Sequence, residues 1–183
     1  MSDALLVTWL FLGAAASNIA PVLASRVPIL KTWQTPLDGV LIFRGKRLFG
    51  KNKTWRGLLS GITIATLIVA IQQLLARILG WHIEVNGLQF IEIPTLILGP
   101  LLGIGPLVGD AVESFFKRQI NIPPGKSWFP FDQIDYIIGG LVFTWPVIPL
   151  TLSQYLWVFI IGFGGHLAVS YLGYLANFKD KPI

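Results

Sequence analysis

The sequence predicts an all-α integral membrane protein with five transmembrane helices and two functional loops on the cytoplasmic side. Three observations predict it. First, 54% of the 183 residues are hydrophobic and 13% are charged, with mean hydropathy +0.68. A soluble domain of this size carries about a quarter charged residues. Second, long uncharged runs recur along the chain, and about 20 apolar residues make one helical crossing. Third, thirteen of the fourteen Lys and Arg residues fall in three segments that five crossings would bring to one side. Residues 1–183 read as a single membrane domain without a separate soluble domain.

The spans follow in order. Residues 4–25 carry no charge, and only Asp3 precedes them, so a span is expected rather than a basic-led signal peptide. Asn18 lies late in it, either bonding to another helix or pointing into a polar site. Residues 26–56 form a loop holding Arg26, Lys31, Arg44, Lys46, Arg47, Lys51, Lys53 and Arg56, opposed by Asp38 alone. The second span is 57–78. A short polar loop with His82, Glu84 and Glu92 leads to the third span, 93–116, whose helix continues through Arg118. Pro94, Pro100 and Pro106, with Gly99, Gly103, Gly105 and Gly109, predict a broken helix there. Irregular backbone at membrane depth needs protein or a water-filled cavity, so a cavity is expected beside Asp110. After Asp135 no charge appears until Lys179. That run divides at Pro146, Pro149 and the polar residues Thr151 to Gln154 into spans 133–150 and 155–177. The basic side is expected to be cytoplasmic and the N-terminus outside, in a multi-pass protein of the cell membrane.

Composition also excludes. There is no cysteine, so disulfides, thiol catalysis and Cys-based metal sites are ruled out. Two histidines, His82 and His166, are too few for a His-rich zinc site. No nucleic-acid partner is expected. Gly162, Gly164 and Gly165 permit tight helix contacts, within one chain or in a homodimer.

The chemistry concentrates in residues 109–140, which hold Asp110, Glu113, Asp132 and Asp135, four of the nine acidic residues. If residues 109–118 are helical, Asp110, Ser114 and Lys117 line one face, with Glu113 and Arg118 beside it. A salt-bridge ladder with snorkelling cations explains the same pattern more plainly. Asp132 follows Pro130-Phe131 and suits a helix N-cap, with Asp135 three residues on. Capping needs only one of them, and two carboxylates at i and i+3 can share a hard cation. Magnesium takes oxygen ligands, often one or two carboxylates completed by substrate phosphates. Asp110, Asp132 and Asp135 are therefore candidate magnesium ligands and catalytic residues, with Glu113 a weaker or outer one. Lys126 follows the Pro/Gly turn and either reaches a phosphate or is an ordinary solvated lysine. The basic run 44–57 leads into span two, where a helix N-terminus attracts phosphate; a strip on anionic lipid headgroups is the plainer reading. A phosphate nucleophile is already ionised at neutral pH, so a nucleotide and a lipid phosphate could react here without a general base.

Two resemblances sharpen this. Ser114-Phe115-Phe116-Lys117-Arg118, preceded by Gly109-Asp110 and followed by Asp132 and Asp135, resembles the CTP:phosphatidate cytidylyltransferase signature. Lys126-Ser127 stands three positions late against that signature, and Phe129-Pro130-Phe131 replaces its His-Gly-Gly. Pro36-Leu37-Asp38, the FGKNKTWRG run ending at Gly57, and PFDQIDYIIGG resemble the archaeal CDP-archaeol synthases over nearly the whole chain. That resemblance implies transfer of CMP from CTP to 2,3-bis-O-geranylgeranylglycerol phosphate, with magnesium, releasing pyrophosphate. It implies catalytic roles for Asp110, Asp132, Asp135 and Lys117. Ser114, Lys117, Arg118, Lys126, Asn52, Lys53, Thr54 and Arg56 are then the candidate nucleotide-binding residues. The rival expectations are a cytidylyltransferase for ester phosphatidate, a membrane anion or lipid-phosphate transporter, and a structural membrane subunit.

Overall fold

The structure, a computed structural model, describes residues 1–175. The end of the fifth predicted span, Lys179 and Lys181 lie outside the described residues. The fold is mostly helical. Helices α1 (Asp3–Leu10) and α2 (Leu12–Ala24) form one apolar run with a break at Phe11. Next come the single turn α3 (Pro28–Lys31) and a hairpin of β1 (Ile42–Phe43) and β2 (Lys46–Arg47). Ile42 pairs with Arg47 and Phe43 with Lys46. Arg44 and Gly45 both have positive φ, the two-residue turn that matches strand twist. Helix α4 (Trp55–Ile78) begins where Thr54 Oγ1 accepts a bond from the Gly57 N–H at 3.2 Å. A second hairpin, β3 (Glu84–Val85) and β4 (Leu88–Gln89), turns at Asn86-Gly87 and runs through a 3₁₀ turn (Phe90–Glu92). Helices α5 (Thr95–Gln119), α6 (Phe131–Thr144) and α7 (Leu152–Leu175) complete the described chain.

Among the described residues, four helical runs are long and apolar enough to cross a membrane: Asp3–Ala24, Trp55–Ile78, Thr95–Gln119 and Leu152–Leu172. The expected span 133–150 differs. Its helix stops at Thr144, and 14 residues rise only about 21 Å. Pro146 has no N–H to extend the helix, and residues 145–150 continue as turns.

Helix α5 is central and packs on α2, α4 and α6, while α7 packs on α1 and α6. The larger core joins Leu6, Leu10, Ala65, Val69, Leu98 and Leu102. A smaller one joins Val7, Ile137, Leu141 and Val158. The outer faces carry exposed Leu67, Ile71, Ile160 and Leu172, as expected of surfaces that meet lipid.

The expected break in the third span is corrected: α5 is continuous past Pro100 and Pro106. Its glycines serve close approach instead. A Cβ at Gly103 would sit 2.5 Å from Ile62 Cα of α4, and one at Gly109 would sit 2.1 Å from the Asp135 carbonyl of α6. Small residues let helices in a membrane pack nearly backbone to backbone. Gly162 instead makes room for the Ile137 side chain, whose Cδ1 would lie 2.7 Å from a Cβ there.

Contacts define the two ends of the bundle. At one end Gln154 Nε2 donates to Asp3 Oδ1 at 3.3 Å, and the Asn86 amide donates to the Pro149 carbonyl. At the other, Lys46 Nζ donates to the Gln119 carbonyl at 2.6 Å, joining the 36–54 loop to the end of α5. The charged site lies at this second end.

Candidate active site

The site is assembled by the crossing of α5 and α6. Gly105 and Gly109 on α5 meet Gly139 on α6, where a Cβ would come within 2.2 Å of the Gly105 carbonyl. This contact brings Asp110 and Asp135 together from facing helices. With Glu113 they form the one group of three metal-ligating side chains found among the described residues, each offering an oxygen within 4.8 Å of the others. Asp135 Oδ1 also accepts the Tyr136 N–H at 2.6 Å.

Two lysines serve this cluster. Lys53, from the loop before α4, is ion-paired with Asp110. Lys117, buried on α5, reaches Asp132 Oδ1 at 2.5 Å and Glu113 Oε1 at 3.1 Å. Asp132 is thereby linked through Lys117 to Glu113, and its carboxyl also lies within hydrogen-bonding reach of Glu113. Its Oδ2 accepts the Trp128 N–H at 2.5 Å, so it neutralises Lys117 and ties down the turn before α6. The i, i+3 spacing places Asp132 and Asp135 near one face; Lys117 bridges the first to Glu113, and Asp110 and Glu113 lie close to the second.

A cavity of about 240 Å³ opens over these groups. Lys51, Lys53, Lys117 and Arg118 line it together with Asp110, Glu113 and Asp132. Ser114, Asn52, Phe49 and Gly50 also contribute. Arg118 brings its Nε and Nη1 donors buried and without protein partners. A buried guanidinium with open donors beside an aqueous recess is suited to an anion. The expected cavity beside Asp110 is therefore present, though a broken helix does not make it. A second recess of about 200 Å³ shares Asn52, Lys53 and Asp110 with the first. It extends between Pro21, Val22, Leu58 and Leu107, with Asn18 and Thr54 on its wall. Asn18 thus faces a polar site, the second of its two expected roles.

Four candidate residues are placed off the wall of the main cavity, and the first is Asp135, which lies behind Asp110 and Glu113. Lys126 is not on its wall, although Pro124 and Gly125 are. Thr54 caps α4. Arg56 donates to the Leu30 and Lys31 carbonyls at 3.2 and 3.4 Å, fastening the start of α4 to α3. No individual role was expected of Phe49, Gly50 or Lys51, which entered only within the basic FGKNKTWRG run, nor of Asp38, the one acid opposing that loop's basic residues. Asp38 is 2% exposed. It accepts bonds from Arg47 and from the Val40, Phe49 and Gly50 N–H groups. Burial alone would raise its carboxyl pKa; Arg47 and these N–H groups hold it below the usual carboxylate value.

A helical membrane protein whose carboxylates and basic side chains share one recess belongs to the class of membrane proteins with an intramembrane anion site. A solved structure of an intramembrane enzyme for archaeal membrane lipids biosynthesis is similar at TM-score 0.70 and 25% identity, covering 88% of this chain and 90% of that one. The family model described as "CarS-like: CDP-archaeol synthase" matches residues 2–183. A CDP-archaeol synthase of Thermococcus onnurineus is 33% identical over 183 residues, covering 100% of this chain and 98% of the relative. Another, of Methanocaldococcus jannaschii, is 36% identical over 149 residues, covering 80% and 82%. The chain belongs to the CDP-archaeol synthase family, and it is a cytidylyltransferase enzyme of the membrane.

Proposed function

We propose that this protein transfers CMP from CTP to 2,3-bis-O-geranylgeranylglycerol phosphate, forming CDP-archaeol and pyrophosphate, as a step in making archaeal membrane phospholipid. The observation that carries this reading is the convergence of Lys51, Lys53, Lys117 and Arg118 on the cavity over Asp110 and Glu113. A nucleoside triphosphate and a lipid phosphate together bring about six negative charges, and preorganised cations in a low-dielectric recess stabilise them far more than water-exposed ones would. In the reaction an oxygen of the lipid phosphate bonds to the α-phosphorus of CTP. The bond from that phosphorus to the bridging oxygen breaks, and pyrophosphate leaves with the electron pair. Arg118 and Lys117 receive the triphosphate. Lys53, shared by both recesses, lies where the two anions would meet. The second recess, apolar on one wall, is the acceptor side.

The carboxylate cluster fits magnesium: three side chains with only hard oxygen donors lie within one coordination sphere's reach of each other. Asp110, Asp135 and Glu113 would hold it, with Asp132 outside, keeping Lys117 in place. When bound, the metal supplies charge neutralisation at the phosphates. In this reading α6 and the 145–150 turn make the fifth crossing. The basic loops then face the cytoplasm, where CTP is found, and the N-terminus lies outside.

The test is pyrophosphate release by the full-length protein in detergent, omitting CTP, magnesium or the geranylgeranyl ether lipid phosphate in turn. Dependence on all three is expected. Release without lipid would replace the proposal with nucleotide hydrolysis, and equal use of ester phosphatidate would widen the acceptor class.

A further inference from the structure

The 36–54 loop supplies five consecutive cavity-lining residues, Phe49 to Lys53, yet it has almost no regular structure beyond the small β1–β2 hairpin. Such a loop should be mobile unless something holds it. Lys46 and Lys53 tie it to α5, and within the loop one buried side chain gathers the backbone. Asp38 Oδ1 accepts from Arg47 Nη2 at 2.6 Å and from the Val40 N–H at 3.1 Å. Asp38 Oδ2 accepts from the Phe49 and Gly50 N–H groups at 3.2 and 3.1 Å. The neighbouring Leu37 N–H donates to the Lys53 carbonyl at 2.8 Å. The run from Phe49 to Lys53 is thus pinned at its start by the Asp38 side chain and at its end by the adjoining backbone. Between the pins Gly50 takes φ +92, and the Lys53 N–H turns back to the Gly50 carbonyl at 3.4 Å. Asp38 is not on the wall of either recess.

We infer that Asp38 is a positioning residue for the reaction: its carboxylate fixes the Phe49–Lys53 run over the α5 carboxylates and so sets Lys51, Asn52 and Lys53 for the nucleotide. The inference rests on the cytidylyltransferase reading for its kinetic part only. Four bonds to one carboxylate make it sensitive to a change that keeps size. Asparagine in its place has a single acceptor oxygen and presents an NH₂ group to donors. Either Arg47 or the Phe49–Gly50 pair loses its partner, and a buried donor without an acceptor is costly.

The experiment compares full-length wild type and Asp38→Asn in detergent by three readouts: CTP kinetics, thermal midpoint, and tryptic cleavage after Lys51 and Lys53 followed by mass spectrometry. The expected result is KM for CTP raised about tenfold or more, with kcat changed by less than about threefold, because the loop binds but does not react. Cleavage after Lys51 and Lys53 should accelerate by about tenfold while the midpoint of the helical bundle holds, since the loop opens locally. A fallen midpoint with unchanged KM and unchanged loop cleavage would overturn the inference, and so would wild-type values throughout. If wild type releases no pyrophosphate, the proposed reaction fails, and the cleavage readout still decides whether Asp38 holds the loop. If Asp38→Asn does not fold, Arg47→Gln removes one bond of the four and should show the same pattern on a smaller scale; wild-type cleavage in that variant would overturn the inference.

Discussion

Gly109→Ala tests whether the α5–α6 crossing sets the site. A Cβ on Gly109 would lie 2.1 Å from the Asp135 carbonyl oxygen and 2.9 Å from its carbonyl carbon. Carbon–oxygen contacts close at about 3.3 Å, so the helices must part by on the order of 1 Å at this point. Both obstructing atoms are backbone, so no side chain can rotate away. Overpacking of this kind costs about 1–3 kcal/mol, and the helix propensity of alanine returns up to about 1. The bundle should survive, because α5 also packs on α2 and α4. The displaced segment, however, is Asp135 itself, and Asp110 is the residue after Gly109. A shift of about 1 Å in a reacting constellation can lower turnover by about a hundredfold. Expected, therefore, is a folded variant with kcat for CTP-dependent pyrophosphate release reduced about a hundredfold, and a midpoint within a few degrees of wild type. Gly164→Ala is the control, since its Cβ would meet nothing within 4 Å. Gly109→Ala with wild-type kcat and wild-type midpoint would refute the close-approach reasoning.

Asp110→Asn and Asp135→Asn should fold and lose nearly all turnover, and magnesium titration by calorimetry should weaken in both; wild-type magnesium affinity would remove that residue from the metal group. Gln73→Ala acts at the opposite end of the bundle from the site. Gln73 donates to the Phe90 and Ile93 carbonyls at 3.0 and 2.7 Å. Losing these buried bonds should lower stability by about 1–3 kcal/mol while kcat of the folded protein is unchanged; a kcat loss without a midpoint loss would contradict this assignment. Because the folded pKa of Asp38 is depressed, its stabilisation is fully present above the unfolded carboxyl value of about 3.9 and is lost as pH falls through the lower, folded value. Pepsin cleavage of the 36–54 loop should therefore rise only in strong acid in wild type, and Asp38→Asn should lack that step.

The membrane class was legible from the sequence because the bilayer imposes a local requirement. Each crossing needs its own continuous apolar run, and the runs that became α1–α2, α4, α5 and α7 can be read without knowing their neighbours. The place where charge gathers was legible for a related reason: charge is scarce in such a chain, so Asp110, Lys117, Asp132 and Asp135 stand out against an apolar background. Which carboxylates gather was not. Asp132 and Asp135 look equivalent at i and i+3, and only the side chains facing them differ. Lys117 and the Trp128 N–H engage Asp132 beside Glu113, whereas Asp135 sits close to both Asp110 and Glu113. Prolines and glycines in α5 gave a misleading local signal, because a neighbouring backbone at van der Waals distance accepts a glycine that isolated helix propensity disfavours. The role of Asp38 was hidden altogether, since its partners Arg47, Phe49 and Gly50 are brought to it by loop closure. Hydropathy and charge are properties of a segment and survive in one dimension. Which carboxylates meet, and which lysine neutralises which, depends on interhelical distances that exist only once the chain has packed.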